Sequence, residues 1–270
     1  MYKKYGRKRS YRPRKSTRAT RKRTGGRYVT KAQVNRMINK EVEDKVFYQY
    51  PFDPVSISNV LPPLAPFFNN LNYQVPQGTG QGDRVGNKVT HKSASLKCSI
   101  NFRDYSLLTN SKQLVQLVTL VVFKIRNYQT GVNPTYANFF SKMFQLGNTS
   151  QPLTNTPIDH IRPFNKDIMD VKAVRRFKMG FSSPANNVTA TGPVGAAPVP
   201  NNDFDYQKFV SINLTKFYKK TQIFNDGVAP NDAQNDNLFF MVFCCPADGS
   251  AFTSTPLALT WDLQLKYQDA

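Results

Sequence analysis

LALTWDLQLKYQD, residues 257–269, alternates strictly: Leu257, Leu259, Trp261, Leu263, Leu265 and Tyr267 fall on one side, Ala258, Thr260, Asp262, Gln264 and Lys266 on the other. In a strand successive side chains point to opposite faces. The run therefore reads as a strand with one buried and one wet face, as antiparallel sheets have. The same pattern recurs upstream, where Ala94, Leu96, Cys98, Ile100 and Phe102 interleave with Ser93, Ser95, Lys97, Ser99, Asn101 and Arg103. Cys98 then points inward and is inert. Leu238 to Cys245 is apolar throughout, the mark of a central strand covered on both faces.

Further elements follow by the same logic. Residues 114–126 are rich in valine, which favours a strand over a buried helix. Residues 167–179 read as a strand with Met169, Val171, Ala173, Phe177 and Met179 on one face, interrupted by Arg175. Between 206 and 224 the alternation runs through Val210, Ile212 and Leu214 and changes phase near Phe217, giving two strands or one bent one. In TYANFFSKMFQL, residues 135–146, the apolar positions have helical spacing and Gly147 supplies a stop, which predicts a short helix. Six or seven strands, one short helix and long loops make residues 44–270 a single all-β sandwich domain. Eight strands in two packed sheets would be a jelly roll, an architecture of viral capsids and lectins.

The connections are distinctive. Residues 51–68 hold five prolines, with Phe52, Phe67 and Phe68 as anchors for an extended crossing segment. Pro152, Pro157 and Pro163 punctuate a connection with room for one short strand. Gly78-Thr-Gly80-Gln-Gly82-Asp-Arg84-Val-Gly86-Asn-Lys88 has the glycines of a phosphate-binding loop. A strand follows it and not a helix, so the dipole of a helix N-terminus is missing and a structural turn is the better reading. Residues 180–205 form a long Pro/Gly loop, and residues 225–237 carry Asp226, Asp232 and Asp236 without a base. Both suit outward display, the acidic loop facing away from any polyanion.

The charge lies at the other end. Residues 1–27 read MYKKYGRKRSYRPRKSTRATRKRTGGR, with Lys3, Lys4, Arg7, Lys8, Arg9, Arg12, Arg14, Lys15, Arg18, Arg21, Lys22, Arg23 and Arg27 and no acid before Glu41. Those thirteen cations are most of the net charge of +20, leaving +7 for residues 28–270. With nothing apolar to bury and like charges crowded together, residues 1–29 form a disordered arm that condenses only on a dense polyanion. Its lysines and arginines are the nucleic-acid-binding candidates, acting through counterion release without reading sequence. Tyr2, Tyr5, Tyr11 and Tyr28 are spaced among them to stack on unpaired bases. After the arm, Thr30-Lys-Ala-Gln33 has the form of a capping box, so residues 30–43 are a short helix or a linker.

Other classes find little support. The arm lacks the apolar run of a signal peptide and the apolar face of a membrane-surface helix, and no stretch reaches transmembrane length, so no membrane partner is expected. Cys98, Cys244 and Cys245 are too few for a disulfide framework, and adjacent strand residues such as the last two cannot share a zinc ion as a CxxC pair does. No catalytic or metal-binding residue and no cofactor are assigned. His91 and the Asp159-His160 pair lack any catalytic signature and are read as surface or interface residues. Arg175 and Arg176 are candidates for an inner-surface contact or an ion pair between subunits.

The order of these parts resembles that of a known family. The Lys/Arg-rich N-terminus, the GTGQGDRVGNKV turn at 78–89, the alternating strand after it and the closing LALTWDLQLKYQD strand are similar to the capsid proteins of circular Rep-encoding single-stranded DNA viruses, the circovirus-like group. The resemblance implies an eight-stranded jelly roll that self-assembles into an icosahedral T=1 shell, a homo-oligomer of sixty copies. The arms would face inward onto a circular single-stranded DNA genome. Sixty copies of a +20 chain carry about 1,200 net charges, which offsets a genome on the order of one to two thousand nucleotides. It also implies that Lys8-Arg9, Arg14-Lys15 and Arg21-Lys22-Arg23 engage a host nuclear-import receptor, which places the protein in the virion and the host nucleus. The alternatives are a non-viral basic nucleic-acid-binding protein and the capsid of a small single-stranded RNA virus.

Overall fold

A computed structural model describes residues 30–31, 34, 44–57, 67–72, 74–102, 115–126, 139–180, 207–224, 233, 237–249 and 257–269. The chain divides into two compact units, Met1–Glu41 and Val42–Ala270. In the first unit, Val34 N–H donates to the Thr30 carbonyl at 3.0 Å, one turn of helical bonding. The remainder of the expected 31–43 helix lies outside the described residues, as do the basic arm, nearly all of the 180–205 loop and the three aspartates of the 225–237 loop.

The second unit is built from strands β1 (Lys45–Gln49), β2 (Val55–Ser56), β3 (Phe67–Asn70), β4 (Lys88–Phe102), β5 (Val115–Ile125), β6 (Phe144–Leu146), β7 (Thr149–Gln151), β8 (Met169–Gly180), β9 (Gln207–Asn213), β10 (Thr221–Ile223), β11 (Leu238–Pro246) and β12 (Leu257–Asp269). Sheet A runs β1-β12-β4-β10, with β9 also on β4 and β2 also on β12. Sheet B runs β3-β11-β5-β8. Taking β9 and β10 as one interrupted strand, the eight principal strands lie first–eighth–third–sixth in sheet A and second–seventh–fourth–fifth in sheet B. Every strand pairing within the two sheets is antiparallel among the described residues. The fold is an all-β, eight-stranded jelly-roll sandwich.

The alternating faces meet between the sheets. Leu96, Cys98 and Ile100 of β4 and Leu259, Trp261, Leu263 and Leu265 of β12 pack with Leu120, Val122, Phe240 and Val242 of sheet B in one buried cluster. Phe240 meets Trp261 edge-on, centroids 5.4 Å apart, and Phe67 at 5.3 Å, so one side chain bridges both sheets and the β3 edge. β11 is buried at all nine positions because sheet B is covered on its outer face too. There Val121, Phe123, Phe239, Met241 and Phe243 lie under Phe139, Phe140, Met143, Phe144 and Leu153.

That outer cluster explains one departure from the sequence reading. Residues 139–146 are not a helix: Phe140–Lys142 is a 3-10 turn and Phe144–Leu146 is β6, which forms a hairpin with β7. The helical spacing of the aromatics serves another purpose, since Phe139 stacks on Phe123 at 5.5 Å and Phe140 meets Phe68 edge-on. Gly147 does stop the segment, at φ +59 as the first residue of the two-residue hairpin turn.

A second departure lies in β8. The register against β5 slips between Val122 and Phe123, leaving Lys172 as the extra residue. Such a bulge changes which face a side chain takes. Met169 and Val171 therefore join the outer cluster, while Ala173, Phe177 and Met179 face the inter-sheet core. A third departure is Phe52: the expected anchor is 98% exposed, whereas Phe67 and Phe68 are held in β3. The change of phase near Phe217 resolves into two strands, β9 and β10, separated by a 3-10 turn at Thr215–Phe217 and both paired with β4.

Because Phe240 fills the junction of both sheets, F240A is expected to cost about 3–5 kcal/mol. Urea unfolding of the variant checks this, and the exposed F52A substitution should leave the midpoint unchanged.

Candidate nucleic-acid interface

The described part of the body begins at Asp44 and β1, an edge strand of sheet A. Five residues of β1 pair with the C-terminal half of β12, from Lys45↔Tyr267 to Gln49↔Leu263. Polar bonds reinforce this seam. Lys45 Nζ forms an ion pair with Asp269 at 2.8 Å and donates to the Asp83 carbonyl at 2.7 Å. Gln268 Nε2 donates to Asp44 Oδ1 at 2.6 Å, and Tyr267 donates its hydroxyl to the Gly82 carbonyl at 3.0 Å.

The glycine-rich turn at 78–88 is part of the same seam. Gly80 N–H donates to Asp83 Oδ2 at 2.9 Å, Gly78 N–H to the Arg84 carbonyl at 3.1 Å, and Asp83 N–H to the Gly80 carbonyl at 3.0 Å. These amides are spent inside the turn, and the anion that the loop holds is its own Asp83. A Cβ on Gly78 or Gly80 would collide with that carboxylate. Arg84 is fully buried. It donates to the carbonyls of Val75 at 3.3 Å and Gly86 at 2.7 Å and to Asn87 Oδ1 at 3.0 Å, and it lies 4.4 Å over the Phe224 ring. The turn is structural, and Arg84 is its hub.

Both histidines are buried, against their reading as surface or interface residues. His91 Nε2 donates to the Thr215 carbonyl at 3.2 Å and its ring packs 5.1 Å from Tyr218. His160 Nδ1 shares a 2.6 Å hydrogen bond with Thr119 Oγ1, with its ring 5.0 Å from Phe243. Although adjacent in sequence, Asp159 turns elsewhere. It accepts from Thr154 N–H at 2.7 Å and Thr154 Oγ1 at 3.0 Å, with Arg162 at 3.6 Å. Burial pushes the Cys98 and Cys245 thiols up to about 12, so neither supplies a thiolate at neutral pH. Among the described residues no three His, Cys, Asp or Glu side chains group as metal ligands, and no helix is long and apolar enough to cross a membrane. Arg175 and Arg176 are exposed on β8, which ends sheet B; Arg176 lies 6.0 Å over the Phe164 ring.

The outer face of sheet A carries a feature that the sequence reading passed over. Tyr48 and Tyr50 on one side and Phe209 of β9 on the other wall a groove of about 540 Å³. Its floor includes Lys97, Ser99, Thr260 and Asp262. The aromatic walls stand well out, with Phe209 73% exposed and Tyr50 65%. The signal was present: Phe209 occupies the polar phase of β9, among Gln207, Ser211 and Asn213.

Burial, and then the nearby charge of Arg176, hold His160 down at about 4 from its ordinary 6.5. The neutral imidazole is the native form, while the unfolded chain takes up a proton first on acidification. Its contribution to stability is complete above about pH 6.5 and is lost as pH falls toward 4. Asp159 acts in the opposite sense, since burial raises its carboxyl. Between about pH 7 and pH 4.5 the wild type should therefore lose about 2–3 kcal/mol more unfolding free energy than H160Q. Urea titrations of both proteins at the two pH values check this.

No protein-family model and no curated protein sequence matches the chain. Among solved structures, a chain from Desmodium yellow mottle tymovirus aligns with 12% identity and a TM-score of 0.31, covering 100% of this chain and 95% of that one.

Proposed function

We propose that this chain is the capsid protein of a small single-stranded DNA virus, a shell subunit that assembles with its own copies and packages the genome through its N-terminal arm. The observation that carries the reading is the strand order, a complete eight-stranded jelly roll of the kind viral capsids use. Lectins and other binding modules share that architecture; the thirteen cations in residues 1–27 favour packaging of a polyanion. The body's buried ionisable groups support the same division of labour, since His91, His160, Asp159 and Arg84 are engaged in holding turns and loops to the sheets. On this reading the arms line the lumen and neutralise confined phosphates. The clusters Lys8-Arg9, Arg14-Lys15 and Arg21-Lys22-Arg23 take the newly made subunit to the nucleus.

Expression of the full chain, followed by sizing chromatography and negative-stain microscopy, tests the proposal. Closed shells of one diameter are expected, with nucleic acid inside that survives external nuclease. Once released, that nucleic acid should be digested by DNase; digestion by RNase alone would reassign the genome to RNA. A monomer that stays monomeric with and without nucleic acid would overturn the proposal.

A further inference from the structure

We propose that the outer face of sheet A is a base-stacking surface, where unpaired bases of the packaged strand lie against Tyr50 and Phe209 in the groove between β1 and β9. The inference rests on the packaging reading and adds to it a second site, on the folded body, where the stacking faces are fixed by the sheet.

Geometry comes first. Phe209 pairs across with Ser99 and Ser99 with Thr260, so the groove floor crosses β9, β4 and β12 before reaching β1. Three strand spacings separate its walls at backbone level, about 14 Å. That leaves room for one planar base against each ring. The groove volume of about 540 Å³ lies within the range of small-molecule sites.

Composition then favours nucleic acid over a second copy of the chain. The cores of protein–protein interfaces are enriched in apolar and aromatic residues and depleted in serine and lysine. Here the aromatics stand on a background of Ser95, Lys97, Ser99, Ser211, Thr260 and Gln264. Aromatic faces set among hydroxyl, amide and cationic side chains are what single-strand binding surfaces offer: stacking for the base, and donors for its edges and phosphate. Lys97 and Lys266 on this face outnumber Asp262, whose register neighbour across the ladder is Lys97.

Connectivity supplies the third argument. Tyr48 and Tyr50 belong to β1 and its exit, and Arg27, the last cation of the arm, precedes Tyr48 by about 20 residues of the same chain. A strand held by the arm is thereby linked through one chain to the groove, which raises its effective concentration for that site. The arm supplies most of the charge, and the groove adds stacking faces fixed on the folded body to those of the arm's tyrosines.

The test uses full-length protein in roughly 0.5 M salt, where phosphate contacts weaken and stacking persists. Affinity is compared for a labelled thymidine oligonucleotide of about 16 nucleotides and for an abasic oligonucleotide of the same length. Wild type is expected to prefer the base-bearing strand by about tenfold or more. Y50A, F209A and F209L should each reduce that preference several-fold, leaving the share due to the arm's tyrosines, while binding the abasic strand as wild type does; F209Y should keep it in full. All four substitutions fall on exposed side chains, and unchanged urea midpoints will show that the fold is intact. The inference is overturned if wild type shows no base preference, or if Y50A and F209A retain it undiminished. It is also overturned if those variants keep the preference but fail to assemble, which makes the groove a contact between copies. Shells that still enclose nucleic acid, in a protein without base preference, would overturn this inference and leave the packaging reading standing. Failure to bind either strand at any salt would overturn both.

Discussion

Neither sheet can be completed until the end of the chain arrives. β12 lies between β1 and β4 in sheet A, and β11 lies between β3 and β5 in sheet B. The last two strands are thus the centres of both layers, and they bring Phe240 and Trp261 into edge-on contact across the core. Pairings such as Lys45↔Tyr267 close almost the whole domain at once. Contacts so distant in sequence cost loop entropy before they return any burial, so this topology is slow to form and cooperative once formed. The ladders, not the connections, fix the layers.

How far the sequence disclosed this depended on how each strand is exposed. β4 and β12 were legible because one face is wet and one dry, and β11 because both faces are dry. β1 and β3 were not. Five and four residues long and only partly buried, they have no pattern of their own and exist because β12 and β11 offer an edge. The aromatics at 139–144 misled for a related reason. Helical spacing marks a single apolar stripe, and a folded-back loop lying on the outside of sheet B presents the same stripe without a helix. A bulge is invisible to periodicity by nature, so the change of face at Lys172 in β8 was lost as well.

Charge was legible in one place and not in another. The glycine-rich turn reads as structural from sequence and is so, with local carbonyls, an amide oxygen and the Phe224 ring holding Arg84 as its strut. The histidines read as surface or interface residues, yet both are buried, and packing holds His160 neutral against Thr119. Sequence cannot show which polar groups will be matched internally, because the partners come from remote segments. The same blindness hid the groove on sheet A, whose walls come from strands about 160 residues apart and meet only through β4 and β12.

The seam at the end of β12 has a mechanical meaning. Asp269 holds Lys45 by an ion pair and accepts the Val85 amide at 3.3 Å, while Gln268 holds Asp44. A pull along the chain from the N-terminal side of Asp44 reaches Asp44 and Lys45 before any other described residue of the body. The load passes through those bonds into β12, which is paired with β4 along its whole length, and from there into the core. The end of β12 is therefore the anchor plate for the start of β1, and tension entering at Asp44 is shared between side-chain bonds and the backbone ladder before β1 can peel from the edge.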